Sequence, residues 1–252
     1  MEEKRPFPDL QSKAEKVLEK NGWRVLLNAD YIDPVTGKIR EKDILATKAR
    51  DPLKNGEFNY KVRLFIECKC LSEKTKIDTI DTQGVMSSIE NTILTQNMSF
   101  AEIREIERTK KFHFYDAYNK IAKRKDSKDL LYKAENQNLA AFAAFRKSHP
   151  KERGVYYLII VCDKKLKCKR EDKYEEKCSK ILIQINTIDA AHKLPHGRCF
   201  IELITIGQFE NLLQEIEKDI KEIDFSIEFY HNRRLRELEK IKREIKDDRR
   251  FY

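Results

Sequence analysis

The sequence predicts an α/β protein: a leading helix, three strands in a meander, a helical middle, and further strands followed by helices. Three observations carry that prediction. "PDLQSKAEKVLEKNG" places Leu10, Ala14, Val17 and Leu18 at helical spacing and stops at Gly22. "VRLFIECKC" alternates Val62, Leu64 and Ile66 with Arg63, Phe65, Glu67 and Lys69, the period-2 pattern of a strand. "GVYYLIIVC" is an unbroken β-branched and aromatic run, suited to a strand covered on both faces.

The remaining elements follow in order. Asp9 is placed to cap the first helix, and "WRVLLN" reads as the first strand. "DPVTGK" has turn chemistry, with Pro34 at a turn position and Gly37 able to take positive φ. "IREKDILATKA" is the second strand, and a loop around "DPLKNGE" leads into the third. Residues 78–147 read as helical with one or two breaks, clearest in "AENQNLAAFAAFRKSHP", which stops before Pro150. "KKLKCKREDKYEEKCSK" reads as a charged hairpin or loop, "ILIQINT" and "CFIELITI" as strands, and "GQFENLLQEIEKDI" as a helix. From about residue 225 a long charged helix follows, with Leu235, Leu238, Ile241 and Ile245 as a narrow apolar seam. That seam is open to two readings, packing on its own domain or contact with a second copy.

A chain of 252 residues can bury a substantial core without disulfide help. Lys and Arg number 52 against 43 acidic residues, a net charge of +9, which suits either a polyanionic partner or a solvated lysine-rich surface. No apolar run approaches the length of a membrane span, and "MEEKRPFPDL" lacks the apolar core of a signal peptide. A cytoplasmic setting is therefore expected, with the 6 cysteines as reduced thiols. Cys162, Cys168 and Cys178 lack the spacing of structural zinc ligands, and His113, His192 and His196 form no tight motif.

The chemistry-bearing residues sit on the second and third strands. Residues i and i+2 of a strand share a face, so Glu67 and Lys69 should stand side by side with Cys68 turned away. Burying such a pair is costly without compensation. Asp43 is equally out of place in "EKDILA", since Asp is depleted in strands. Antiparallel pairing of the two strands would bring Asp43, Glu67 and Lys69 together. Paired carboxylates suit Mg2+, and a nearby ammonium can stabilise the charge that develops during phosphoryl transfer.

At these residues the chain resembles the PD-(D/E)xK nuclease superfamily, with its restriction-endonuclease-like fold. Asp43, then Glu67-Cys68-Lys69, preceded by the helix ending "LEKNGW", carry the resemblance. It implies a core of helix, three-stranded meander, helix and further strands. The resemblance covers the first 70 residues and the strand at 155–162; beyond it, the sequence pattern divides the chain into a nuclease-like domain over 1–224, with a helical insertion at about 78–128, and a basic helix over 225–252 as a candidate dimerisation element. The resemblance also implies Asp43, Glu67 and the backbone carbonyl of Cys68 as Mg2+ ligands (Mn2+ a substitute), Lys69 as the catalytic lysine, and cleavage of DNA ahead of RNA. Many relatives carry a glutamate in the first helix, where this chain has Gln11; Glu15 lies one turn later. Gln137 is a further accessory candidate, and Arg233, Arg234 and Arg236 are candidate phosphate contacts. The missing helix glutamate leaves open a binding protein that has lost catalysis, and the apolar seam leaves open an assembly protein.

Overall fold

The structure is a computed structural model that describes residues 8–56, 58–71, 76–81, 94–96, 98, 120–122, 130–170, 173–186 and 198–248. Its elements run α1 (Pro8–Lys20), β1 (Arg24–Ile32), β2 (Ile39–Arg50), β3 (Tyr60–Lys69), β4 (Lys76–Asp81), β5 (Leu94–Gln96), β6 (Lys120–Ala122), α2 (Leu130–Ser148), β7 (Gly154–Cys162), β8 (Leu166–Arg170), β9 (Lys173–Cys178), β10 (Lys180–Asn186), β11 (Arg198–Thr205) and α3 (Ile206–Asp248). The fold is α/β, around a mixed sheet in the order β1-β2-β3-β7-β11-β10-β6-β4-β8-β9, with β5 beside β7.

β1, β2 and β3 form an antiparallel meander, and β3 then pairs in parallel with β7 after the α2 crossover. α1 and α3 cover one face: Leu10, Ala14 and Leu18 meet Phe209, Leu212, Ile216, Ile220 and Ile223 over Ile44, Leu64 and Ile66. α2 covers the other, setting Ala134, Ala141, Phe142 and Phe145 on Phe65, Tyr156, Leu158 and Ile160. Each fully buried Ile or Leu of these layers contributes roughly 1.5–3 kcal/mol. β7 is buried at every position, as its unbroken apolar run requires.

Three sequence expectations are corrected. Asp9 is not a cap: it lies inside the first turn of α1, ion-paired with Lys13 at 2.6 Å. The stretch 78–128 is not a helical insertion in its described residues, which instead contribute β4, β5 and β6. Ile77 and Ile80 imitate helical spacing, yet β4 is held by β6 on one side and β8 on the other. No break separates residues 224 and 225, because α3 is one helix of 43 residues. Asp224 anchors it there, accepting hydrogen bonds from Tyr60 Oη at 2.8 Å and from the Arg50 guanidinium. His113, His192 and His196 lie outside the described residues.

Candidate active site

The β1–β2 hairpin sets one wall of the site. Asp33, just beyond β1, accepts hydrogen bonds from the amides of Val35 (2.9 Å) and Thr36 (3.2 Å) and from Arg40 Nε (2.7 Å). Gly37 takes φ 66°, and its amide donates to the Asp33 carbonyl at 2.8 Å. Burial alone would raise the Asp33 carboxyl, but these donors outweigh it and hold the pKa at about 2.

Further along the hairpin the face alternation reverses. Leu27 of β1 and Ile44 of β2 pack on the α1/α3 side, whereas Tyr31 packs with the α2 layer and Lys42 reaches across to it. The β2–β3 register runs from Arg50↔Tyr60 to Ile44↔Ile66, one step short of Asp43 and Glu67. On the far side of Asp43, Asn28 adopts φ 53°, the left-handed region that Asn tolerates. The first helix supports this spot: Gln11 Nε2 donates to the Asp43 carbonyl at 2.8 Å and to Asn28 Oδ1 at 2.9 Å.

The three residues singled out in the sequence share this locus. Asp43 Oδ2 accepts from the Cys68 amide at 2.7 Å, and Lys69 Nζ lies 2.9 Å from Glu67 Oε2. The Cys68 thiol is turned into the opposite core layer, as its place in the alternation predicts, and burial pushes it up to about 12. Gln11, Ile39, Arg40, Glu41, Asp43, Cys68, Lys69 and Gln137 line a cleft of about 400 Å³. Gln11, not Glu15, is the first-helix residue that reaches this cleft. Gln137 lines it from α2, its carbonyl accepting from Tyr31 Oη at 3.3 Å. Arg233, Arg234 and Arg236 stand elsewhere, on the exposed distal half of α3, with Arg233 paired to Glu237 at 3.2 Å.

Two site residues escaped sequence reading. Lys42, 2% exposed, donates from Nζ to Glu67 Oε1 at 2.8 Å and to Asn138 Oδ1. Asn138, fully buried, donates from Nδ2 to the Ile159 carbonyl at 3.0 Å. For Asn138 a signal was present, since it interrupts the apolar stripe Leu131, Ala134, Ala141, Phe142; for Lys42 there was none, because strand parity groups it with Ile44 and Ala46 on the opposite face.

Electrostatics separate the two carboxylates. Burial would raise Glu67, but Lys42 and Lys69 together outweigh it and hold the carboxyl below its ordinary range. Asp43 is pushed upward, first by burial and then by the negative charge of Glu67. Burial lowers the Lys42 pKa, against the pull of Glu67. Asp43 borders the cleft with its charge disfavoured by burial and by a second carboxylate. Among the described residues no three His, Cys, Asp or Glu side chains group to hold a metal ion. An ion in the cleft would be held by Asp43 and the Cys68 carbonyl, which line it, and by Glu67 only once Lys69 leaves the buried oxygen it now pairs. That oxygen-only set of few protein ligands fits Mg2+, which keeps several waters.

Comparison with protein-family models, with curated proteins and with solved structures finds no match.

Proposed function

We propose that the chain is a divalent-metal-dependent nuclease with a restriction-endonuclease-like core, hydrolysing phosphodiester bonds of DNA. One observation carries this reading: adjacent strands β2 and β3 bring Asp43 and Lys69 to the wall of a single cleft, with the Cys68 amide bonded to Asp43 at 2.7 Å and the buried Glu67 paired to Lys69 just beneath it at 2.9 Å. The order α1, antiparallel meander, α2, then β7 parallel to β3 supports it as well, being the core that the sequence resemblance implies. The net charge of +9 favours a polyanionic substrate.

Mg2+ bound by Asp43 and Glu67 would supply an activated water and a Lewis acid for the phosphate. The chain's own groups do the rest. Gln11 and Gln137 offer amides at the cleft wall to orient the sugar-phosphate backbone. Lys69 borders the cleft, so its ammonium can leave Glu67 for a non-bridging phosphate oxygen. There it offsets the charge that builds as water oxygen bonds to phosphorus and the bond to the leaving sugar oxygen breaks. The attacking water gives up its proton to solvent, and the leaving oxygen takes one from solvent.

The test is incubation of the purified chain with supercoiled plasmid, linear duplex, single-stranded DNA and RNA, in Mg2+, Mn2+ or EDTA. The expected result is DNA cleavage in Mg2+ or Mn2+ that EDTA abolishes. Cleavage that persists in EDTA, or no cleavage with either ion, overturns the reading.

A second property is proposed from α3. Its buried stripe, Ile216, Ile220, Ile223 and Ile227, lies in phase with exposed Leu238 and Ile241 about three turns further on. This continuation suits a homodimer formed through the distal helix, and an assembly role if cleavage fails. Light scattering should give a dimer mass for the native chain and a monomer mass for Leu238→Glu. A monomeric native chain removes the dimer. The free thiols Cys68, Cys70, Cys162 and Cys178 accord with a cytoplasmic setting, and no helix among the described residues is long and apolar enough to cross a membrane.

A further inference from the structure

α3 carries a second stripe, on the side opposite the one it buries. Ile216, Ile220, Ile223 and Ile227 face the core, and at about 3.6 residues per turn Phe225 and Phe229 point the other way. These two residues are 59% and 47% exposed, with ring centroids 6.4 Å apart and planes 25° apart. A groove of about 340 Å³ runs beside them, lined also by Asn232, Arg233 and Arg236 and by Glu228 and Glu237. The cations continue along this side as Lys240 and Arg243, and every described side chain from Asn232 to Glu244 is exposed. Arg234 falls on the opposite side, in phase with Leu238 and Ile241, and does not border the groove.

We propose that this outer face of α3 is a nucleic-acid surface separate from the cleft, and that it takes single-stranded DNA: bases stack on Phe225 and Phe229, and phosphates meet Arg233 and Arg236. The chemistry of the face selects that occupant. Flat rings open to water offer a platform on which any base can stack, and a basic run beside them follows the backbone. A second copy would set this cation-rich side against another, whereas a polyanion neutralises it. Arg233 is paired with Glu237 at 3.2 Å, an exposed contact that a phosphate can displace. A duplex keeps its base faces inside its stack, so only a single strand can use the rings. The face is remote from the cleft, because Asp224, next to Phe225, is held by Arg50 and Tyr60 at the far end of β2 and β3 from Asp43 and Cys68. The length of β3, roughly 30 Å, separates the two. The choice of DNA over RNA rests on the nuclease reading; the binding itself does not use the cleft. The Leu238 and Ile241 side remains for the second copy.

The experiment is fluorescence anisotropy of labelled oligothymidine of about 20 nucleotides, the matching oligouridine and a DNA duplex of the same length. The full chain is used in EDTA, which keeps metal-dependent cleavage off. The native chain is expected to bind oligothymidine more tightly than the duplex. Phe225→Leu with Phe229→Leu keeps apolar bulk but loses the ring faces. It is expected to weaken single-strand binding about 10-fold or more and to leave duplex binding unchanged. Arg233→Ala with Arg236→Ala should reduce the slope of log affinity against log salt by about 1.4, two phosphates at about 0.7 each. All four side chains are exposed, and melting temperatures on the same samples verify that the variants fold. Unchanged single-strand affinity in the Phe variant, or an equal loss on the duplex, would overturn the inference. A mass by light scattering that falls in the Phe variant would give the face to a second copy and overturn it too. Oligouridine bound as tightly as oligothymidine would overturn the assignment to DNA. No binding by the native chain also overturns the inference, while plasmid cleavage in Mg2+ decides the nuclease reading separately.

Discussion

Two ion pairs, one half-buried and one sealed in, lie on the same face of β3, four residues apart, and they are built to different ends. At one end Arg63 meets Glu152 with two parallel bonds, Nε to Oε1 and NH2 to Oε2, both at 2.7 Å. Lys61 adds a third donor, and the guanidinium stacks 4.5 Å from the Phe145 ring centroid. At the other end Glu67 meets two ammoniums, one sealed in and one at the cleft, beside a carboxylate whose charge is disfavoured. The first pair is a planar fork with its partner matched and an aromatic lid, a geometry that locks a strand to the β7 side of the sheet. The second distributes charge among movable and immovable partners and leaves Asp43 at an opening. A buried carboxylate alone is therefore a poor sign of chemistry; unequal partners beside a cleft are a better one.

Substitutions can break this contrast in graded steps. Lys42→Ala removes one partner of a sealed pair and leaves Glu67 Oε1 unpaired, so a loss of about 3–5 kcal/mol is expected in urea unfolding. Arg63→Met should cost less, about 1–3 kcal/mol by the same assay, because Lys61 still serves Glu152. A loss for Arg63→Met equal to that of Lys42→Ala would erase the distinction.

The hairpin that walls the cleft gives a pH-dependent version. Its Asp33 is held at about 2 against an ordinary value of 3.8, so the folded state binds its proton less readily than the unfolded chain. A depressed carboxyl contributes stability above the ordinary value and loses it as pH falls through the folded one. Asp33→Ala should thus cost about 1–2 kcal/mol at neutral pH. It should also flatten the stability curve as pH drops from 3.8 to about 2. An unchanged acid limb in unfolding titrations would sink this assignment. The smallest effect belongs to the surface: Lys13→Ala breaks an exposed pair with Asp9 on α1 and should shift stability by less than about 0.5 kcal/mol.

Much of this architecture was legible from periodicity. The alternation in β3 placed Glu67 with Lys69 and turned Cys68 away, and the apolar run of β7 gave a strand covered on both faces. What failed was decided by partners distant in sequence. β4 is a polar strand whose Ile77 and Ile80 have helical spacing, and only its neighbours make it a strand. α3 continues through residues 224 and 225 because Arg50 and Tyr60, on β2 and β3, hold Asp224, while Ile223 and Ile227 are both buried. In the site, Lys42 escaped notice because a lysine in a strand reads as solvent-facing. The reversal of faces beside Asn28, which lets it reach Glu67, leaves no periodic mark in sequence.

The central claim is that Asp43 performs chemistry and does not merely support the fold. The most direct measurement is the Mg2+-dependent plasmid nicking rate of Asp43→Ala against the native chain, with melting temperatures recorded on the same samples. The account predicts a folded variant with a melting temperature close to native, because losing the acceptor of the Cys68 amide is offset by removing a carboxylate disfavoured by burial and by Glu67. It also predicts a nicking rate at least about 100-fold lower. Native-like nicking by a folded Asp43→Ala would contradict it.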